Sequence, residues 1–347
     1  MVINGFISMK KITIADVARE AGVSIGTVSA VINGKRTVKA TTRDKVIKVI
    51  KRLNFRPEGK AQNLKVRDDS RSICLIIKQF ENPFYMDIAA GVKEYADQKG
   101  YMLFITSSEG NTEHEVRITQ LLSSKDISGA IIAPVVTSSS EIDHLFRLKM
   151  INFPFVLLEA VQGIQANVVS IDNIKTMKDA VKHVMDKGHS RIYHFSGPQH
   201  SSHTFERIDG FRRAFSESHL VFTEEQIVQT GGRFREGYQK GMEFFADGAN
   251  RDFPLAIFCF NDQVALGLLS ALRELNIKVP EQVSIIGNDN IQVAEHNALP
   301  LTTISPPKFE MGRKAAEILI NNIEATQPMA LTNIIMNAEL IVRKSSV

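Results

Sequence analysis

The sequence predicts a small all-α head of three helices followed by an α/β body built as two doubly wound parallel-sheet lobes. Three observations lead there. Residues 1–67 carry a net charge of +11 and the remainder −7, within an overall +4. Capped amphipathic segments separated by glycine fill the basic end, between Thr13 and Leu53. Beyond residue 70, short apolar runs alternate with helical periodicity in two successive series, the pattern of parallel sheets covered by helices on both faces. At 347 residues, 44% of them apolar and 23% charged, the chain has the length of two or three compact units and the composition of a globular protein. No apolar run reaches the roughly 18 residues needed to span a bilayer, and the first eight residues do not make a secretory signal. Cys74 and Cys259 lie far apart in separate apolar runs. They imply buried thiols in a reducing compartment, not a disulfide framework or a zinc quartet. A cytoplasmic protein with no membrane partner is expected.

In the head, Thr13-Ile14-Ala15-Asp16 forms a capping-box pattern that opens a first helix ending near Glu20. Gly22 permits a sharp turn, and Ser24 caps a second helix over Ile25–Asn33, stopped by Gly34. Thr41-Thr42-Arg43-Asp44 repeats the capping pattern for a third helix with Val46, Val49, Ile50 and Leu53 on one face. Helix, glycine turn, helix and bracing helix make a helix-turn-helix unit, whose second helix enters the DNA major groove. Capping and periodicity alone would suit any three-helix unit. The second helix, however, carries Ser24, Thr27, Ser29 and Asn33, and Lys35, Arg36, Lys39 and Arg43 flank it. Short hydroxyl and amide groups reach phosphates and base edges, and Lys and Arg neutralise phosphates, which selects double-stranded DNA as the partner.

The stretch Thr13–Asn33, TIADVAREAGVSIGTVSAVIN, together with Asn33-Gly34, Thr42-Arg43 and Phe55-Arg56-Pro57, resembles the head of LacI/GalR-family transcriptional regulators. The resemblance implies DNA contacts from Thr13, Ser24, Ile25, Gly26, Thr27, Ser29, Ala30, Asn33, Thr37 and Thr42. It implies a DNA-binding domain at 9–57 after an N-terminal extension of residues 1–8. It also implies a hinge at 58–70 that folds into a helix on DNA, with Ala61 and Leu64 facing the minor groove, where an apolar side chain can wedge between base steps. By composition alone that stretch is a solvated linker. Family members commonly carry Arg at the position of Ala30, and Gly26 is bare at a base-reading position. Direct readout is then thin, with Ile25 left for a thymine methyl and more of the discrimination passed to DNA shape.

In the body, strands are predicted at Ser72–Lys78, Tyr101–Thr106 and Gly129–Val135, with helices at Phe84–Gln98 and Thr112–Leu122. After Asp172 come helices Asn173–Lys187, His203–Ser218, Phe234–Ala246 and Asp262–Leu275. Strands Arg191–Ser196, Gln226–Thr230, Leu255–Phe260 and Val283–Gly287 alternate with them, and the final segment Asn333–Val342 is strand-like. The resemblance continues over 71–347 through Asn82-Pro83-Phe84-Tyr85, Gly188-His189, Ser196-Gly197-Pro198, Glu206-Arg207-Ile208-Asp209-Gly210, Asn261-Asp262 and Gly287-Asn288-Asp289. It implies two lobes like those of type I periplasmic sugar-binding proteins, closing on a small molecule at the carboxyl ends of strands. It also implies that Leu301–Gln327 returns to the first lobe and that the terminal strand joins the second. At the positions the family uses for effectors stand Phe84, Tyr85, Glu159, His203, Arg207, Asn261 and Asp289. Carboxylates with Arg or Asn around an aromatic wall suit a polyhydroxylated ligand, so a sugar or sugar derivative is expected ahead of a nucleobase. Asn261 and Asp289 follow strands, and either could cap a helix instead. Gly232 stands where an aromatic often walls the pocket.

Nothing catalytic assembles. No phosphate-cradling glycine motif lies at a strand–helix junction, the cysteines lack a histidine pattern, and His200 with His203 lack further ligands for a metal. No enzyme activity, cofactor or metal is expected. The reading is a transcriptional regulator, most simply a repressor, acting as a homodimer on a pseudo-palindromic operator under control of a small-molecule effector. Control by a protein partner or corepressor is the alternative. A transport-type binding protein would share the body but not the basic head.

Overall fold

A computed structural model describes residues 13–32, 38–53, 71–122, 127–135, 142–199, 201–246, 248 and 250–346. The chain divides into two compact units, Met1–Ser70 and Arg71–Val347.

The first unit contains helices α1 (Ile14–Ala21), α2 (Ile25–Ile32) and α3 (Ala40–Arg52). Thr13 and Asp16 cap α1 reciprocally: Thr13 N donates to Asp16 Oδ2 at 2.8 Å and Asp16 N to Thr13 Oγ1 at 3.3 Å. Gly22 ends α1 at φ 61°, a left-handed conformation that a Cβ would strain. Ser24 Oγ accepts from Thr27 N at 3.1 Å and caps α2. The predicted cap at Thr41 is not the one used. Arg43 N already donates to Lys39 O at 3.0 Å, so helical bonding begins earlier and Thr41 lies in the first turn of α3. Val17, Ala18, Ala21, Val28, Val31, Val46 and Val49 close a core among the three helices.

The second unit opens with β1 (Ser72–Ile77), α4 (Phe84–Gln98), β2 (Met102–Ser107), α5 (Thr112–Leu122), β3 (Gly129–Ile132), α6 (Asp143–Met150), β4 (Phe155–Leu157) and β5 (Asn167–Ile171). Then come α7 (Asn173–Asp186), β6 (Ile192–Ser196), α8 (Ser202–Ser216), β7 (Ile227–Gln229), α9 (Phe234–Phe245), β8 (Leu255–Cys259) and α10 (Asp262–Glu274). β9 (Val283–Asn288), α11 (Gln292–His296), β10 (Thr302–Ser305), α12 (Lys308–Glu324), β11 (Asn333–Met336) and β12 (Glu339–Ile341) complete it. They form two six-stranded sheets ordered β11-β5-β4-β3-β1-β2 and β12-β10-β9-β8-β6-β7. Every pairing is parallel except β12 on β10. β1 from Ile73 onward and all of β8 are buried on both faces, which is why they read as unbroken apolar runs.

Two expectations for the C-terminal region are corrected. Asn333–Val342 is two strands serving different lobes. β11 ends with Met336 O accepting from Asp172 N at 2.9 Å, and after Asn337-Ala338, β12 pairs Leu340 with Ile304 of the second sheet. Leu301–Gln327 divides in the same way: β10 stays in the second sheet and only α12 returns to the first lobe. Its Met311, Ala315, Leu319 and Ile320 pack there with Ile73, Leu75 and Val92, the apolar surface that makes the return favourable. α12 crosses α4 at two glycines. A Cβ on Gly91 would lie 1.9 Å from Phe309 O, and one on Gly312 2.0 Å from Ile88 O.

Candidate functional site

On the head, Val28 and Val31 turn α2 inward and leave Ser24, Ile25 and Gly26 exposed, with Thr27, Ser29 and Ala30 half-buried. Ile25 is 52% exposed, an apolar side chain free to meet a base edge. Three hydroxyls of the expected contact set already have local duties. Thr13 Oγ1 donates to Asp16 Oδ2 at 2.7 Å, and Ser24 Oγ and Thr27 Oγ1 bond each other at 2.9 Å. Thr42 is half-buried in the first turn of α3. Asn33, Thr37, Ala61, Leu64, residues 1–8 and the hinge at 58–70 lie outside the described residues.

In the body, a cavity of about 540 Å³ opens between the lobes at the carboxyl ends of the strands. Phe84, Tyr85, Glu159, His203, Arg207, Asn261 and Asp289 all line it. The first lobe contributes Phe84 and Tyr85 from the start of α4 and Glu159 from the turn after β4. The second contributes His203 and Arg207 from α8, Asn261 after β8 and Asp289 after β9.

Glu159 is the most heavily bonded of these. Lys78 Nζ and Ser202 Oγ donate to its two oxygens, and His203 Nε2 lies 3.1 Å from Oε2. Lys78 belongs to the same lobe, but Ser202 and His203 belong to the other, so this carboxylate ties the lobes across the cavity. Burial opposes its charge, yet His203 and Lys78 outweigh burial and hold the carboxyl below its ordinary pKa. A second tie runs from Asn82 Nδ2 to Asp289 Oδ2 at 3.3 Å. Asp289 is 5% exposed at φ 113°, a strained backbone for a residue with a Cβ, and such strain clusters at functional positions. Burial raises its pKa against the opposing pull of Arg207.

Arg207 is buried with its face covered by the Phe260 ring, 4.8 Å from the centroid, and its Nη1 donates to Phe260 O. Asn261 lines the cavity but caps a helix, the alternative left open for it. Its Oδ1 accepts from Val264 N at 2.9 Å and its Nδ2 donates to Gly232 O at 2.8 Å. Asp289 does not cap the helix that follows it, whose N-cap is Ile291. Tyr85 is held in its protonated form by burial and by the charges of Glu159 and Asp289, so it offers a hydroxyl donor.

Sequence reasoning missed Lys78, Ser202 and Phe260 in the lining. Phe260 was the most accessible of them: an aromatic at the last residue of an apolar run, immediately before Asn261-Asp262, faces a strand's carboxyl end. It supplies an aromatic wall beside Gly232, where a Cβ would sit 3.6 Å from its ring. Among the described residues, no group of three or more His, Cys, Asp or Glu could hold a metal ion. No helix among them is long and apolar enough to cross a membrane.

A helix-turn-helix head and a two-lobed body around a ligand-sized cleft define a transcriptional regulator, not an enzyme. Residues 13–58 match the model of bacterial regulatory proteins of the lacI family, and residues 181–346 match that of the periplasmic binding protein-like domain. The HTH-type transcriptional repressor PurR of Vibrio vulnificus is 36% identical over 313 residues, 90% of this chain and 92% of that one. PurR of Photobacterium profundum is 32% identical over 339 residues, 96% of this chain and 98% of that one. Among solved structures, a complex of the transcriptional regulator CelR with cellobiose superposes with a TM-score of 0.72 at 27% identity, covering 96% of this chain and 99% of that one. The lac repressor dimer bound to operator and the anti-inducer ONPF gives 0.69 at 25% identity, covering 97% and 99%. The chain belongs to the LacI family of bacterial regulatory proteins and is a DNA-binding transcriptional repressor of that family.

Proposed function

We propose that this repressor holds a pseudo-palindromic operator as a homodimer in the cytoplasm, and that a neutral sugar in the interlobe cavity sets its affinity. The observation that carries the ligand class is the charge balance of the lining. Its charged side chains are two basic and two acidic, and they oppose one another as Lys78 with Glu159 and Arg207 with Asp289. A charged ligand would have to part Lys78 from Glu159 or unbalance Arg207 and Asp289, which attract each other without a direct ion pair, and leaving a buried charge uncompensated is costly. A neutral ring bearing vicinal hydroxyls meets paired donors and acceptors as they stand. The similar regulator CelR is in complex with cellobiose, a neutral sugar, which supports the same class. Phe84, Phe205 and Phe260 around the cavity favour a flat neutral ring such as a nucleobase as the second reading.

On the DNA side, the exposed face of α2 led by Ile25 and Gly26 reads the groove. Thr13, Thr27, Ser29, Ala30 and Thr42 contribute contacts, joined by Asn33, Thr37, Ala61 and Leu64. Effector and operator are coupled reciprocally by about 1–3 kcal/mol. Enrichment of random-sequence DNA by the full-length protein tests this, run with neutral mono- and disaccharides, their phosphates, and free nucleobases. Recovery of a two-fold symmetric site that shifts with a neutral sugar supports the proposal. A shift with a phosphate or a nucleobase alone overturns the sugar assignment. Control by no small molecule, with response only to an added protein, would replace the effector by a partner.

A further inference from the structure

Asn173, the first residue of α7, is 5% exposed and stands behind the cavity wall, not in its lining. Its side chain joins two lining residues. Oδ1 accepts from Arg207 Nε at 3.3 Å, and Nδ2 donates to Glu206 Oε2 at 2.7 Å while lying 3.1 Å from His203 Nδ1. The orientation of this amide is forced by its partners. An arginine Nε can only donate, so it must face the amide oxygen; an ionised carboxylate can only accept, so it must face the amide nitrogen. His203 Nδ1 therefore confronts an N–H group and must be the ring's acceptor. The ring's one proton is then on Nε2, where Glu159 Oε2 accepts it at 3.1 Å.

We infer that Asn173 is a positioning residue of the cavity, holding His203 as a neutral ring protonated on Nε2 alone and fixing the aim of Arg207. Hydrogen bonding, not charge, sets this state: the carboxylates of Glu159 and Glu206 favour a second proton, and the Asn173 amide N–H at Nδ1 opposes it. Glu159 takes the Nε2 side. Glu206 Oε2, 3.7 Å from Nδ1, is already engaged by Asn173. Lys78 stands on the far side of Glu159, and Arg207 shares Asn173. A second proton on Nδ1 would meet the amide N–H head-on and cost Asn173 its bond to Glu206 or to Arg207. The functional consequence rests on the cavity being the effector site: a neutral His203 keeps the lining balanced at Lys78 with Glu159 and Arg207 with Asp289. Because one amide serves both His203 and Arg207, a shift of the Glu159 tie also reaches the guanidinium.

The protonation pattern can be read without knowing the effector. Long-range proton–nitrogen correlation spectra of the full-length protein, with labelled histidine, would report both ring nitrogens. His203→Gln assigns the resonance by its disappearance. At neutral pH, Nδ1 is expected as an unprotonated, pyridine-type nitrogen and Nε2 as a protonated one. Asn173→Asp replaces the donor by an acceptor but would set two carboxylates 2.7 Å apart at Glu206, so it is paired with Glu206→Gln, whose amide can donate to the new carboxylate. In that double variant Nδ1 should carry a proton. A proton on Nδ1 in the unmodified protein overturns the inference, even if the variant fails to fold. So does an Nδ1 left bare in a folded protein carrying both Asn173→Asp and Glu206→Gln. Neither outcome bears on whether a sugar is the ligand, so failure here is separable from failure of the effector assignment.

Discussion

Replacing Asp262 by Asn is expected to remove a loss of stability at alkaline pH. Asp262 opens α10 with no exposed surface; its Oδ1 accepts from Thr303 Oγ1 at 2.6 Å and its Oδ2 from Ile291 N at 2.8 Å. Burial, reinforced by the charge of Asp289, pushes its pKa from 3.8 up to about 8. The folded protein therefore keeps a proton that the unfolded chain releases. The associated stability is full below about pH 4, declines as pH rises, and is gone once pH passes about 8. At ~1.4 kcal/mol for each pH unit, the whole displacement sets a ceiling of about 6 kcal/mol, and the interval between pH 6 and 8 accounts for roughly 2. Asparagine carries no charge at any of these values. Its oxygen can accept from Ile291 N, and its nitrogen can donate to Thr303 Oγ1, whose own proton has Ile304 O at 3.3 Å. Urea unfolding of the full-length protein, followed by circular dichroism at several pH values, measures the effect. The parent's main transition should fall to lower urea between pH 6 and 8. Asp262→Asn should hold nearly level, with a small residual slope from Asp289, and should be the more stable of the two above pH 8. Parallel curves for parent and variant would mean that Asp262 is already ionised at pH 6, and the reasoning would be wrong.

Other perturbations have equally direct readouts. His194 is buried with Nδ1 3.1 Å from Phe258 O, and burial lowers its pKa to about 4. Its contribution is full above pH 6.5 and lost as pH falls toward 4, a loss of roughly 3 kcal/mol that His194→Gln should abolish in acid unfolding curves. Gly312→Ala puts a methyl group 2.0 Å from Ile88 O and must part α12 from α4. A drop of several degrees in melting temperature is expected, and an unchanged melt would contradict the close crossing. Gly197→Ala would place Cβ 2.3 Å from the Phe260 ring. It should uncover Arg207 and blunt the effector response in the DNA-enrichment assay. Ala30→Arg adds a guanine-reading side chain to α2, and enriched DNA should narrow at one position per half-site with about 1–3 kcal/mol of added discrimination.

What could be read from the sequence follows how locally each feature is determined. Thr13 and Asp16 are three residues apart, so their reciprocal cap was legible and is observed. Helices Phe84–Gln98 and Thr112–Leu122 were placed to the residue because turn residues bound them on the N-terminal side and their periodicity is strong. β4 and β5 escaped assignment. Three-residue β4 lies inside an apolar run that periodicity alone cannot divide, and β5 carries Asn167 and Ser170 within it. The tail was misread because Asn333–Val342 alternates without a break signal, and only its partners, β5 and β10, decide where it divides. Asn173 was visible only as the first residue of a helix. Its reach to His203 and Arg207 needs α8 to lie against α7 at Gly210, where a Cβ would come within 2.4 Å of Ile174 O. No spacing within one segment encodes that approach.

The same distinction bears on how a small ligand could move this body. Among the described residues, the buried apolar cores lie within each lobe. One pair of cores flanks the sheet that contains β1, another pair flanks the sheet that contains β8, and among the described residues only the crossing residue Ala338 packs against both sets. What joins the lobes around the cavity is polar. Glu159 holds Ser202 and His203, and Asn82 holds Asp289. Gln263 Nε2 donates to Glu81 O at 2.6 Å. Lys308 Nζ spans from Asp87 Oδ2 at 2.6 Å in the first lobe to Asn290 O at 2.7 Å in the second. Each such bond contributes about 1 kcal/mol net, and more where a charge is involved. An apolar interlobe core would cost several times that to open. A ligand that replaces two or three of these ties with better ones therefore has enough leverage for a coupling of about 1–3 kcal/mol, and the lobes can change their relative angle without disturbing either core.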